Sequence, residues 1–456
     1  MKTNTTLDLP PAGRSALRAG VVGNWIDNIH VFLPLTALAP AMATLAGPTV
    51  AASTGAVIVI AMLLGRPLGG LIFGKISDRI GRTRTTRIAI AGTAACTLGI
   101  AATPTHELLG PGTIALILIF RFVGGIFVAG EYSAAIPLAM EWSPARSRGF
   151  MSGFILSMAP WAQASIAFAV AGLLTVLGPE NYAVWGWRAL FVIGGLLSIG
   201  MYVFYTRNVA DAPIFHRQKD TENQQTSQPK PRVLGSWTSA FWQVFIMMTG
   251  LWLLTDSTVL LLTDRLGTDT PLVAEDVSFV IGIASVAQAF VMIVAGHLST
   301  FIGRRSLLIV WGSSAATLGP FIWWAAMKSS HVGQALILAS LLQVVTVSAY
   351  GPIAAYLSER FPTEIRSTGY GMGYSLSLIL PALYPFYLPW IESPLGRDGS
   401  VIFLIVLGGV LVVFGAARGP RFNRSDIDQD SDHVAWAAAE QMRDSNAQAS
   451  KESVQS

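Results

Sequence analysis

The chain has 456 residues, of which 52% are hydrophobic and only 12% charged, with a mean hydropathy of +0.54. Soluble domains carry about 25% charged residues, so this composition excludes a soluble globular protein and predicts an integral membrane protein. The formal net charge of +4 reads as arginine and lysine held at one face of a bilayer, so no nucleic-acid partner is expected.

The segment 1–18 is a polar tail. The apolar run that follows is too long for a signal-peptide core, so it stays as a membrane helix. Runs of helix-spanning length lie near 19–42, 53–74, 88–103, 113–139, 150–177, 187–206, 238–262, 276–298, 306–326, 333–356, 368–390 and 400–416. Of the 30 Lys and Arg, all but Arg66, Arg121, Arg188, Arg265, Lys328 and Arg397 fall in the two tails or in alternate connections. This asymmetry assigns both termini to the cytoplasm. Residues 207–237 form a polar cytoplasmic linker that divides the helices six and six, into an N-terminal bundle, 19–206, and a C-terminal bundle, 238–416. The tail 417–456 is expected to be cytoplasmic and mostly disordered, with a short helix around Val434 to Met442. The expected fold is an all-α membrane protein of twelve transmembrane helices in two pseudo-symmetric six-helix bundles.

The turn between the second and third runs is Gly74-Lys75-Ile76-Ser77-Asp78-Arg79-Ile80-Gly81-Arg82-Thr83-Arg84. Its positive charge marks the cytoplasmic face. Gly74 and Gly81 allow close approach and a tight turn. Asp78 can pair with an arginine or cap a neighbouring helix. The Gly74-x6-Gly81-Arg82 spacing returns as Gly296-x6-Gly303-Arg304, and Glu141-x-x-Pro144-x-x-x-Arg148 returns as Glu359-x-x-Pro362-x-x-x-Arg366, at offsets of about 222 and 218 residues. Two motifs recurring at nearly one offset indicate an internal repeat. In the second copy Thr300 and Phe301 replace the Asp-Arg pair, which predicts a weaker charged lock there.

The 74–84 turn resembles the G-x-x-x-D-R-x-G-R-x-R signature of the major facilitator superfamily. Arg66-Pro67-Leu68-Gly69-Gly70, Gly130-Glu131-Tyr132, Trp185-Gly186-Trp187-Arg188 and Phe361-Pro362-Thr363-Glu364-Ile365-Arg366-Ser367-Thr368-Gly369 resemble its metabolite:proton symporter group. The resemblance implies the major facilitator fold, a bacterial inner-membrane location and uptake of organic acids or osmolytes with protons. It also implies a gating role for Gly74, Asp78, Arg79, Gly81 and Arg82. The chain departs from the group in its first helix, where His30 stands in place of a second acid after Asp27, and in its fourth, where Gly124 replaces a frequent glutamine.

Charges inside the membrane cost roughly 2.5–3.5 kcal/mol each on insertion scales and face cavities or partners. By helix rise, Asp27, Arg66 and Glu131 share a level about 12–14 Å from the cytoplasmic ends of their helices. His30 lies one turn further along the face of Asp27. Asp27, His30 and Glu131 are the candidate proton carriers. A carboxyl closed off from water takes up a proton more readily, whereas one facing Arg66 stays ionised. Arg66 and Arg121 are candidate anchors for a substrate carboxylate, since guanidinium meets it as a fork. Asp256 is a further candidate for the substrate site, or else lies solvated near the outer interface. Permanent ion pairs fixing helix packing are the alternative reading of these charges.

The single cysteine, Cys96, excludes an internal disulfide, and the six histidines form no metal-binding spacing, so no metal is expected. No Walker-type loop occurs, which gives no support to an ATP-driven pump or an enzyme, and no cofactor is expected. The expected partners are a small-molecule substrate, protons and the lipid bilayer, with no required protein partner evident. The leading reading is a secondary active symporter for a small organic acid. Uptake of a zwitterionic osmolyte such as proline or betaine, proton-driven export of amphiphiles, and a non-transporting sensor are the rivals.

Overall fold

The computed structural model describes residues 11–47, 51–211, 237–362 and 365–421. The linker from residue 212 to 236, the start of the N-terminal tail and the expected helix near Val434 to Met442 lie outside the described residues. Backbone groups in a bilayer must find hydrogen-bond partners within the chain, which leaves the helix as the element open to apolar segments of this length. Accordingly the described residues are helical, with no strand among them.

The N-terminal half contains α1 (Pro11–Ala37), α2 (Ala51–Ile80), α3 (Arg82–Ala101), α4 (Gly112–Trp142), α5 (Ala145–Leu156 continued by Met158–Asn181) and α6 (Trp187–Asn208). The C-terminal half opens with α7 (Thr238–Thr255, a π-helical segment Asp256–Leu261, then Leu262–Asp269), α8 (Ala274–Ile302) and α9 (Arg304–Ala326). Then come α10 (Val332–Thr346 continued by Ile353–Arg360) and α11 (Arg366–Leu376 and Ile379–Ala382). The next helix, Tyr384–Ala417, breaks at Gly396 with φ 73°, and the part beyond the break is α12. Nine stretches among the described residues are long and apolar enough to cross a membrane. One of them, Ala145–Asn208, holds both α5 and α6, while threonine-rich α3 and short α11 fall outside the nine.

The repeat seen in the sequence reappears in the backbone. Gly81 (φ 103°) and Gly303 (φ 92°) turn the chain between α2 and α3 and between α8 and α9. Only glycine enters this region without strain. Gly178 (φ 74°) and Gly396 (φ 73°) break the paired helices at the opposite face.

Two close approaches position the functional side chains. A Cβ on Gly65 would stand 2.1 Å from the Phe122 carbonyl oxygen, and one on Gly125 would stand 2.1 Å from that of Met62. Bare backbone on both helices lets α2 lie directly on α4, which carries Arg66 into the layer of Glu131. The largest buried apolar cluster runs through the C-terminal half and reaches α4 and α5.

Candidate functional site

Both halves line a cavity of about 100 Å³ in the middle of the molecule. Asn28, Arg66, Tyr132 and Gln163 face it from the N-terminal half, and Trp252, Asp256, Gln288, Tyr350 and Tyr374 from the C-terminal half. Arg66 is 2% exposed, and its Nε and Nη2 have no hydrogen-bond partner in the protein. Its guanidinium carbon sits 4.9 Å from the Tyr132 ring centroid, 5.4 Å from Trp252 and 5.7 Å from Tyr374. Each such contact contributes about 2 kcal/mol when desolvated, so aromatic faces and a hydrogen bond with Tyr374 hold the cation while Nε and Nη2 remain available. Asn28 donates to the Tyr132 hydroxyl at 2.7 Å, which fixes that ring under Arg66.

Asp27 and Glu131 lie behind Arg66, inside the N-terminal bundle. Their carboxyls are within hydrogen-bonding reach of each other, and Arg66 is the cation that acts on Asp27. Thr93 of α3 donates to Glu131 Oε1 at 3.0 Å. A hydrogen bond between two carboxyls requires a proton on one of them.

His30 and Arg121 sit elsewhere. His30 bridges α3 and α6, with Nε2 2.6 Å from Ser198 Oγ and Nδ1 3.0 Å from Thr97 Oγ1. Arg121 donates to the His30 and Val31 carbonyls at 2.8 and 3.3 Å. Neither lines the cavity. Asp256 does line it and is 4% exposed. It opens the π-helical segment of α7, whose extra residue per turn re-aims side chains relative to a regular helix.

The face bearing the basic turns is closed by two seams. At the α2–α11 seam Asp78 accepts hydrogen bonds from Ser367 N (3.2 Å), Thr368 N (2.9 Å) and Thr368 Oγ1 (2.6 Å), so it caps the first turn of α11. Asp78 also lies 3.6 Å from Arg82, and both roles open to it in the sequence are therefore filled. Arg82 and Arg366 meet the buried Glu141 at 3.2 and 3.1 Å. Gly74 packs against α11, where a Cβ would stand 2.9 Å from the Thr368 Cα. Gly81 makes the turn, and Arg79 is exposed.

At the α5–α8–α10 seam the repeat supplies the same ion pairs with the halves exchanged. Arg148 meets Glu359 at 3.4 Å, and Arg304 pairs with that same carboxylate. The expected weakness of the second lock is confined to the cap. Thr300 stands at the position of Asp78, and its hydroxyl has no hydrogen-bond partner. In the sequence, Arg82 belongs to the expected gating turn, whereas Glu141, Arg148, Arg304, Glu359 and Arg366 stand out only as repeats. The signal was that each Glu-x-x-Pro-x-x-x-Arg motif separates its two charges across a helix end. Trp252 and Tyr132 were missed as cavity residues, because an aromatic in an apolar run carries no mark of which way it faces.

Two helical bundles around a charged central cavity closed at one face suit a carrier of the alternating-access type. The Major Facilitator Superfamily sequence profile matches residues 25–385, and the chain belongs to that family. It is a multi-pass membrane transporter and not an enzyme. It is similar to the proline/betaine transporter of Escherichia coli K12, with 28% identity over 436 residues covering 90% of this chain and 84% of the relative. The alpha-ketoglutarate permease of the same organism is 26% identical over 365 residues, covering 78% of this chain and 81% of the permease. Among solved structures, the proton:xylose symporter XylE bound to 6-bromo-6-deoxy-D-glucose superposes with a TM-score of 0.75. At 16% identity it covers 92% of this chain and 98% of its own, and supports the fold alone.

Proposed function

We propose that this transporter takes up a small carboxylate-bearing metabolite together with protons across the bacterial inner membrane, its termini and basic turns facing the cytoplasm. The observation that carries the reading is Arg66. It is a buried guanidinium in the cavity wall with two unpartnered N–H positions, and it is also the counter-charge of Asp27. A substrate carboxylate bound by Arg66 draws that positive charge away from the Asp27–Glu131 pair. The excess negative charge left in a poorly solvated place is then cancelled by a proton. Substrate and proton therefore load together, and separation of the two basic-face seams releases both to the cytoplasm.

An organic acid satisfies Arg66. A zwitterion is the second reading, favoured by Asp256, a carboxyl lining the same cavity, which a substrate ammonium group would hold ionised. The names of the relatives include both kinds, a proline/betaine transporter and an alpha-ketoglutarate permease. The test is uptake of labelled organic acids and zwitterionic osmolytes into proteoliposomes, with and without an imposed pH gradient. Gradient-driven accumulation of a carboxylate is expected. Accumulation confined to compounds without a carboxylate, or indifferent to the gradient, defeats the proposal.

A further inference from the structure

We infer that the C-terminal wall of the cavity is a subsite for an ammonium group that still carries N–H, so that the site selects amino or imino acids over their fully N-methylated betaines. This rests on the reading of the cavity as the substrate site with Arg66 as its anion anchor.

Three observations support it. Asp256 of α7 lines the cavity, is 4% exposed, and its Oδ2 has no hydrogen-bond partner. Gln288 of α8 lines the same cavity and is also 4% exposed. Its Nε2 donates to Met292 Sδ at 3.5 Å, which turns the carboxamide so that Oε1 is left without a partner. Two buried side chains with unpartnered oxygens, one of them a carboxyl, thus face a cavity whose cation sits on the other half.

The third observation concerns the aromatic side chains. A quaternary ammonium has no N–H and is recognised by aromatic faces. Here Tyr132, Trp252 and Tyr374 already surround the Arg66 guanidinium. Tyr350 and Tyr374 pack edge-on against Trp252, with centroids 5.7 and 5.1 Å away. A trimethylated nitrogen would have to displace Arg66 from those faces and would leave both acceptors unpaired. A protonated amine fills the acceptors and leaves Arg66 in place for the carboxylate. Sites that hydrogen-bond a substrate group discriminate strongly against analogues lacking it, because their own buried polar atoms are then left without partners.

The experiment measures uptake by the full-length protein in proteoliposomes under a fixed pH gradient. The probes are L-proline, glycine and 4-aminobutyrate, each beside its fully N-methylated and its deaminated counterpart. At least one N–H zwitterion should half-saturate uptake at a concentration at least ~10-fold below both of its counterparts. Asp256→Asn should narrow the ratio between the zwitterion and its deaminated counterpart by about 10-fold. Gln288→Met, a neutral change of similar volume, should narrow it in the same direction and serves if the first variant does not fold. Equal or tighter uptake of the N-methylated compounds, or ratios unchanged in the folded variants, overturns the subsite. If gradient-driven uptake of a betaine or a deaminated acid then persists, proton-coupled carboxylate uptake survives and only the ammonium subsite falls. If no carboxylate of any kind is taken up, both fall.

Discussion

Asp78→Asn tests whether the closed basic face is a working gate. The wild-type carboxylate accepts three hydrogen bonds from the first turn of α11 and faces Arg82. The amide keeps one acceptor oxygen and no charge. Two hydrogen bonds to a charged acceptor contribute about 1.5–3 kcal/mol each, and a charge at a helix N-terminus adds about 0.3–1 kcal/mol. Water reaches this 11%-exposed side chain and recovers part of the loss, so a net cost of about 2–4 kcal/mol is reasonable. These bonds join the two halves and exist only while this face is closed. The closed population should therefore fall by roughly 30- to 1,000-fold relative to the alternative state. The assay is thiol labelling from the basic face at Leu156→Cys, a cavity-lining position, in a Cys96→Ala background. Labelling should rise at least ~10-fold, and turnover should slow because the carrier closes this face less readily. A correctly folded Asp78→Asn protein with wild-type labelling and turnover would refute the gate and leave the turn as a topology signal only.

Gly296→Ala should act in the same direction at the other seam, since its Cβ would stand 2.5 Å from the Gly149 carbonyl oxygen. A rise in basic-face labelling of Leu156→Cys checks it, and none is expected if that seam never opens. Arg66→Lys should raise the half-saturating concentration of substrate about 10-fold or more, because a point charge replaces a fork. Arg121→Lys, whose partners are backbone carbonyls, should not change substrate affinity in that way, and uptake kinetics of the two variants distinguish them. Asp27→Asn or Glu131→Gln should abolish accumulation driven by a pH gradient while sparing exchange between two filled compartments; continued uphill uptake by both variants would place the proton elsewhere. In a single-cysteine scan, positions 47, 107, 180 and 267 should label from outside the cell, and 83, 147, 224 and 306 only from inside. Outside labelling of position 224 would reverse the assigned topology.

Much of the fold is legible in the sequence because bilayer chemistry leaves few choices. Apolar length marks helices, and the turn at Gly81 announces itself through spacing that returns at Gly303. The level shared by Asp27, Arg66 and Glu131 follows from helix rise alone, and the structure brings these three together. Rotation about the helix axis is harder to read. His30 lies a turn from Asp27, yet its ring bridges α3 and α6, because Thr97 and Ser198 offer hydroxyls on that side. Nothing in the chain near His30 records what stands opposite it. The π-helical segment beginning at Asp256 is likewise invisible in composition, although it changes where that carboxyl points. The seam glutamates are an intermediate case. Glu141 and Glu359 are conspicuous as repeats, but their partners Arg366 and Arg148 come from the opposite half, and only the packed bundles show the exchange.

That exchange and the position of Arg66 bear on one another. Each half lends an arginine to the other half's glutamate at the basic face, so separating the halves there breaks charge pairs on both seams at once. A carrier held this way needs a compensating change in the cavity before it opens at a useful rate. In the N-terminal half Arg66 lies between the cavity and the carboxyl pair of Asp27 and Glu131. In the proposed reading, an empty carrier keeps Arg66 on Asp27 and only the one proton that the Asp27–Glu131 hydrogen bond requires. A carrier with substrate but no second proton leaves negative charge uncompensated inside the bundle. Only the doubly loaded carrier and the doubly empty one bring the buried charges near balance, and moving an unbalanced charge through a closed, poorly solvated cavity costs several kcal/mol. Obligatory coupling then needs no direct contact between substrate and proton. It follows from one positive charge having two negative claimants on either side of it.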